Sequence, residues 1–158
     1  MSSIKRNLGL EGSTTSVKYL TANGVAQLMT EVRSTFLTSL SETELFAWHK
    51  MLFLAKTTIN VGKWRFDKAP MQVISGSIGK EKVHFEAPPS SSMALEMGRF
   101  IHWLNNTALE SALVKAAIAH LYFERIHPLE DGNGRVGGAI AEKSLFQGLN
   151  SIVLINLS

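Results

Sequence analysis

Apolar residues recur at helical spacing in several separate stretches of this chain. Over residues 21–37, Val25, Leu28, Met29, Val32 and Phe36 fall on one side of an α-helix. A second helix is predicted to start at Ser41, which has the spacing of a capping box with Glu44. Leu45, Phe46, Trp48, His49, Leu52 and Phe53 supply its apolar bulk. The period then shortens. Two β-rich runs, residues 71–74 and 82–85, flank a Gly-Ser-Ile-Gly turn at 76–79, and prolines border the whole. This reads as a β-hairpin. Two strands alone are marginal in water, so the hairpin must rest on the helices or take up a further strand. Helical spacing returns with Met93, Met97, Phe100, Ile101 and Leu104. It continues with Leu109, Leu113, Ala116, Ala117, His120 and Leu121, on a segment ending near Ile126. Pro128 stops that helix by biasing His127 away from helical angles. A last helix reads through GRVGGAIAEKSLFQG, although Gly137 and Gly138 each cost it about 1 kcal/mol relative to alanine. The pattern predicts a mainly α protein with one small hairpin.

Composition narrows the chemistry. At 158 residues the chain is expected to be one domain, and 45% hydrophobic with 18% charged is ordinary for a soluble globule. The net charge of +3 is mildly basic. There is no cysteine, which excludes disulfides, thiolate nucleophiles and cysteine-ligated metal sites. No stretch has the shape of a signal peptide or approaches the roughly 20 apolar residues of a membrane span. A cytoplasmic protein is expected, with neither membrane nor nucleic acid as partner.

Between the last two helices lies HPLEDGNGRVGG, residues 127–138. Glycines remove side chains that would keep a ligand from the main chain and admit unusual backbone angles. The first amides of the following helix have no partner within it, so they form an anion site. Asn133 and Arg135 add side-chain donors. Asp131 is a hard oxygen ligand suited to Mg²⁺ carrying phosphates. His127 can be neutral near pH 7 and accept a proton. A plain helix–loop–helix turn accounts for the glycines and the asparagine, but not for His127, Asp131 and Arg135 together. A calcium loop fails because Arg135 and Val136 fall where an oxygen ligand and a glycine are required. Neither GSIGKEK nor GNGR has the spacing of a Walker loop.

HPLEDGNGR resembles the signature of the Fic family, His-x-Phe-x-Asp/Glu-Gly-Asn-Gly-Arg-x-x-Arg. KAAIAHLYFERIHP resembles the helix that enters that motif, and GKWRFDKAPMQVISG with VHFEAPP resembles the family's flap hairpin. The resemblance implies a Fido-type helical core over residues 21–158, with residues 1–20 as an N-terminal extension. It implies a protein adenylyltransferase that moves AMP from Mg·ATP onto a Ser, Thr or Tyr hydroxyl of a target protein. In that reading His127 is the general base and Asp131 holds Mg²⁺. Gly132, Asn133, Gly134 and Arg135 bind the phosphates of ATP. Met71, Gln72, Val73 and Ile74 are the flap strand along which the target lies.

The sequence departs from the family pattern in places. Leu129 replaces the usual phenylalanine, a swap between apolar anchors. Gly138 replaces the second arginine, which in the family grips the γ-phosphate. SIVLINLS stops where family cores continue into further helix, so a fragment or a shortened relative is expected. No inhibitory helix of the family type is recognisable. These departures keep two alternatives in view. One is a nucleotide-binding relative with impaired catalysis, and the other is transfer of a different phosphate-linked group such as UMP or phosphocholine. His120, on the apolar stripe, is expected to be a core histidine.

Overall fold

The computed structural model describes residues 10–54, 58–75 and 82–152. They form, in order, α1 (Leu10–Thr35), α2 (Glu42–Leu52), β1 (Gln72–Ser75), β2 (Lys82–Glu86), a 3₁₀ turn (Ser90–Ser92), α3 (Met93–Asn106), α4 (Ala112–Ile126) and α5 (Asn133–Leu149). The mainly helical reading holds. The turn expected at 76–79 and the last six residues of the chain lie outside the described residues.

Helix α1 begins at Leu10, well before the apolar stripe that suggested Thr21. The stripe marks where the helix meets its neighbours. Leu28 and Val32 are buried, whereas Tyr19 is exposed. No proline interrupts the stretch before it, so the helix continues past the packed part.

Helix α2 starts at Ser41, whose Oγ accepts from the Glu44 N–H at 3.1 Å. Only this half of the expected capping box forms. The Glu44 carboxylate instead accepts from Lys143 Nζ at 2.9 Å and from the Thr35 hydroxyl at 3.2 Å. Lys143, on α5, is 1% exposed and also donates to the Thr35 carbonyl at 2.6 Å. One buried ammonium thus joins the end of α1, the start of α2 and the middle of α5. Nothing in helical periodicity marks Lys143 as an interior residue.

Leu45, Trp48 and Leu52 of α2 pack with Met93, Met97, Phe100 and Leu104 of α3, Phe123 and Ile126 of α4, and Val136 and Ile140 of α5. The α3 stripe is buried as expected. On α4 the structure corrects the sequence reading. Its buried residues are Ala116, Ala119, Phe123 and Ile126. Leu113 and Leu121 are 68% and 67% exposed, and Val114 and Ile118 are exposed as well. Apolar side chains surround this helix, so periodicity alone could not choose its inner face. Small residues chose it. Ala116 and Ala119 let α5 approach, and Gly137 completes the fit, since a Cβ there would lie 3.0 Å from Glu124 Oε1. The expected stripe instead borders an open apolar groove of about 620 Å³ with Met29, Ala141 and Leu145. His120 lines that groove and is half-buried, not enclosed in the core.

The two strands pair antiparallel, Gln72 with Glu86 and Ser75 with Lys82, with a bulge between Val73 and Ile74. The Ala87 N–H extends the pairing to the Met71 carbonyl at 2.9 Å. Gln72–Glu86 and Ser75–His84 side-chain bonds cross the ladder, both 2.6 Å long. The outer edge of β1 carries no further strand among the described residues. No helix among the described residues is long and apolar enough to cross a membrane.

The Lys143 knot yields a stability prediction. Lys143→Met leaves the Glu44 carboxylate, 15% exposed, without its cation. Loss of about 3–5 kcal/mol is expected in urea unfolding, the usual effect of breaking a buried pair. Replacing both residues with apolar ones should cost less than the single change. Equal losses would show that the Glu44 carboxylate left without its cation carries no penalty of its own.

Candidate active site

The loop between α4 and α5 reverses the chain with two left-handed residues. His127 caps α4 at φ 50°, ψ 58°, and its N–H donates to the Phe123 carbonyl at 3.0 Å. Pro128 follows and forbids another helical turn, as the sequence suggested. Leu129 turns inward, 1% exposed, and anchors the loop in the core; full burial of such a side chain contributes about 1.5–3 kcal/mol. Gly132 caps the start of α5 at φ 82°. A Cβ there would sit 3.2 Å from the Phe53 ring as well, so angle and space both demand glycine. Gly134 differs from the sequence reading. It lies within the first turn of α5 and has no positive φ.

Asn133 holds the reversal together. Its Oδ1 accepts from the Leu129 N–H at 3.0 Å and its Nδ2 donates to the Leu129 carbonyl at 2.8 Å. The residue is 3% exposed. The side-chain donor expected to face a ligand is therefore committed inside the loop, and only the main chain of Asn133 can serve an anion. Helical bonding begins with the Val136 N–H, which reaches the Gly132 carbonyl at 3.0 Å. The N–H groups of Asn133, Gly134 and Arg135 precede it, and no side-chain cap bond closes this helix start. With the positive end of the helix dipole they favour an anion.

Asp131 and Arg135 flank this cradle. The Asp131 side chain is 60% exposed. Its Oδ1 accepts from the Gly132 N–H, and its Oδ2 lies 3.7 Å from Arg135 Nη2. The Arg135 guanidinium also stacks over Phe53, 4.9 Å from the ring centroid. Among the described residues no group of three or more His, Cys, Asp or Glu could hold a metal ion alone. A cation at Asp131 would therefore need phosphate and water oxygens to complete its shell, the manner in which Mg²⁺ is commonly bound.

Glu130 borders the same concavity but is engaged by Asn60. It accepts from the Asn60 N–H at 2.9 Å and from the Asn60 side chain, and these bonds lower its pKa. They tie residues 58–62 to the loop.

His127 stands between two concavities. One, about 370 Å³, is lined by residues 130–135. The other, about 680 Å³, lies beneath the hairpin and is lined by Met71, Gln72, Phe85 and Glu124 among others. Both include His127. Its Nδ1 is 3.9 Å from Glu124 Oε2, so a carboxylate lies behind the ring. Met71 and Gln72 thus share a cleft with His127, and the Val73 and Ile74 main chain continues outward in β1.

Three residues escaped the sequence reading of the site. Arg65, 4% exposed, donates from Nε to the His127 carbonyl at 2.7 Å, and its N–H reaches the Pro128 carbonyl at 2.8 Å. Burial lowers its pKa. A single arginine between Trp64 and Phe66 has no periodic signal. Phe53 supports Gly132 and Arg135 from below. His49, fully buried, stacks edge-on against Phe53 at 5.1 Å. Both looked like ordinary helix bulk.

The model of the Fic/DOC family matches residues 39–145. The chain belongs to the Fic/DOC family. A probable protein adenylyltransferase of Aquifex aeolicus is 34% identical over 73 residues, which cover 46% of this chain and 23% of that protein. Among solved structures, a Fic family protein of Desulfovibrio desulfuricans is similar at TM-score 0.58 and 28% identity, over 77% of this chain and 36% of that one. A Fic domain-containing signalling protein of Bacteroides thetaiotaomicron matches at TM-score 0.62 and 20% identity, covering 78% and 45% respectively. Fic-1 of C. elegans matches at TM-score 0.60 and 20% identity, covering 83% and 37%. The mainly helical Fido fold is thereby established, and the chain spans less than half the length of each of these relatives.

His49 supports a pH prediction. Its Nδ1 accepts from the Gly62 N–H at 3.1 Å, which assigns the proton to Nε2 and a neutral ring. Burial pushes its pKa below 6.5, against the opposing pull of the Asp131 main chain and carboxylate. The unfolded chain therefore binds a proton that the folded chain refuses. Stability should fall as pH drops below 6.5, by at most about 1.4 kcal/mol per pH unit, and level off below the folded-state value. His49→Asn, which keeps an acceptor for Gly62, should flatten urea-unfolding stability between about pH 6.5 and 5. An unchanged slope would assign the effect to another group.

Proposed function

We propose that this chain transfers AMP from Mg·ATP to a hydroxyl side chain of a target protein. The observation that carries this reading is the position of His127 on the boundary between the anion cradle and the cleft beneath the hairpin. A nucleotide phosphate in the first and a peptide hydroxyl in the second would meet at its ring. With Glu124 behind Nδ1, Nε2 is the nitrogen left to take the hydroxyl proton. The hydroxyl oxygen attacks the α-phosphorus, the bond to the β-phosphate oxygen breaks, and pyrophosphate leaves. Amides 133–135 and Arg135 hold the phosphates and stabilise charge on them. Asp131 would hold Mg²⁺ against those phosphates, where the ion supplies further charge neutralisation. The target would pair with the open edge of β1. The curated relative named as a probable protein adenylyltransferase supports the same class of transfer.

The test is transfer of label from α-labelled ATP to lysate proteins. His127→Ala should abolish it, while calorimetry finds Mg·ATP affinity nearly unchanged. Asp131→Ala should weaken binding only when Mg²⁺ is present. Equal transfer by His127→Ala and wild type would sink the assignment.

A second reading, nucleotide binding with weakened catalysis, is favoured by Gly138. A Cβ at that position would meet nothing within 4 Å, so the space is open and no side chain of this residue can reach a terminal phosphate. Affinities for ATP and ADP should then differ by less than about tenfold. Gly138→Arg should create a preference for ATP, raise transfer and stabilise α5 slightly. A preference of about 100-fold in the wild type, near 2.7 kcal/mol, would mean that another residue holds the γ-phosphate.

A further inference from the structure

We propose that Arg65 is a positioning residue that sets the His127 base and couples it to the hairpin. This rests on reading His127 as the base. Arg65 lies in neither wall of the phosphate cradle, and no ion pair to it is formed among the described residues. Its hydrogen bonds run instead to main-chain carbonyls. Nε donates to His127 and Nη2 to Pro88, while the Arg65 N–H donates to Pro128. Burying a guanidinium is costly, and it persists where several bonds hold it. A left-handed histidine is also costly and needs its surroundings to over-determine it. Each is secured by the other.

The bond to Pro88 gives the clamp its second function. Pro88 directly follows Ala87, whose N–H makes the last rung of the hairpin with Met71. A continuous path therefore runs from β1 through Ala87 and Pro88 to the guanidinium, and from there to the His127 carbonyl. The planar fork of arginine spans both carbonyls at once, and an ammonium cannot reproduce that geometry. A strand seated on β1 would shift the hairpin exit and, through Arg65, the base. Misplacement of a base by about 1 Å can slow transfer a hundredfold.

The test uses the full chain with Arg65→Met, Arg65→Lys and His127→Ala. Label transfer from α-labelled ATP to lysate proteins gives the rate, calorimetry gives Mg·ATP affinity, and NMR follows the His127 ring and the Ala87 amide. Arg65→Met should slow transfer at least about tenfold while leaving Mg·ATP affinity within about twofold, and both NMR signals should move. Arg65→Lys should fall between. If Arg65→Met fails to fold, Arg65→Lys carries the test, with slowed transfer and movement of both signals expected. A folded variant with wild-type transfer and an unmoved His127 ring overturns the proposal. Movement of the His127 ring without the Ala87 amide overturns the coupling. If the wild type transfers no label, the two NMR signals decide. Transfer by His127→Ala at the wild-type rate would instead remove the base itself, whatever the Arg65 variants do.

Discussion

A reciprocal pair of hydrogen bonds between the Asn133 side-chain amide and the main chain of Leu129 holds the rest of the site in place. The chain must leave α4, reverse and begin α5 within six residues, and it does so through left-handed angles at His127 and Gly132. Helix bonding reaches only the two ends of this loop, at the His127 N–H and the Gly132 carbonyl, and leaves the residues between them to other partners. Asn133 closes the loop on itself, and Leu129, buried beneath, fixes its depth. The consequence is directional. With the asparagine side chain turned inward, the amides that follow are left facing outward, and the Asp131 carboxylate stands at their rim. A residue that reads as a ligand donor is thus committed to the main chain of its own loop.

Around this loop the protein places charge in two different ways. Lys143 and Glu44 are matched inside the helical core, where an unpaired member would be costly. Asp131 and Arg135 are neighbours at the surface, each with capacity to interact with something else. The first arrangement holds α1, α2 and α5 together. The second leaves an acid and a cation beside helix-start amides that have no helical partner. Phe53 connects the layers, since Gly132 and Arg135 rest on one side of it and His49 on another.

The sequence by itself determined the helical class, the hairpin, the end of α4 at His127 and the chemical character of the 127–138 loop. These are local properties. Proline geometry, glycine freedom, capping and a dense motif act over a few neighbouring residues, so they survive in a one-dimensional reading. The N-cap at Ser41 was legible for the same reason, but the reciprocal contact of Glu44 was not, because Lys143 competes for that carboxylate from 99 residues away. Only the tertiary structure decided which face of α4 is buried. That helix is apolar on most sides, and close approach to α5 at Ala116, Ala119 and Gly137 broke the tie. It also decided that Asn133 points inward, that Lys143 lies in the core and that Arg65 bonds the His127 and Pro128 carbonyls. Each of these depends on partners distant in sequence or on a polar group's need for an acceptor once water is removed, and neither leaves a periodic trace along the chain.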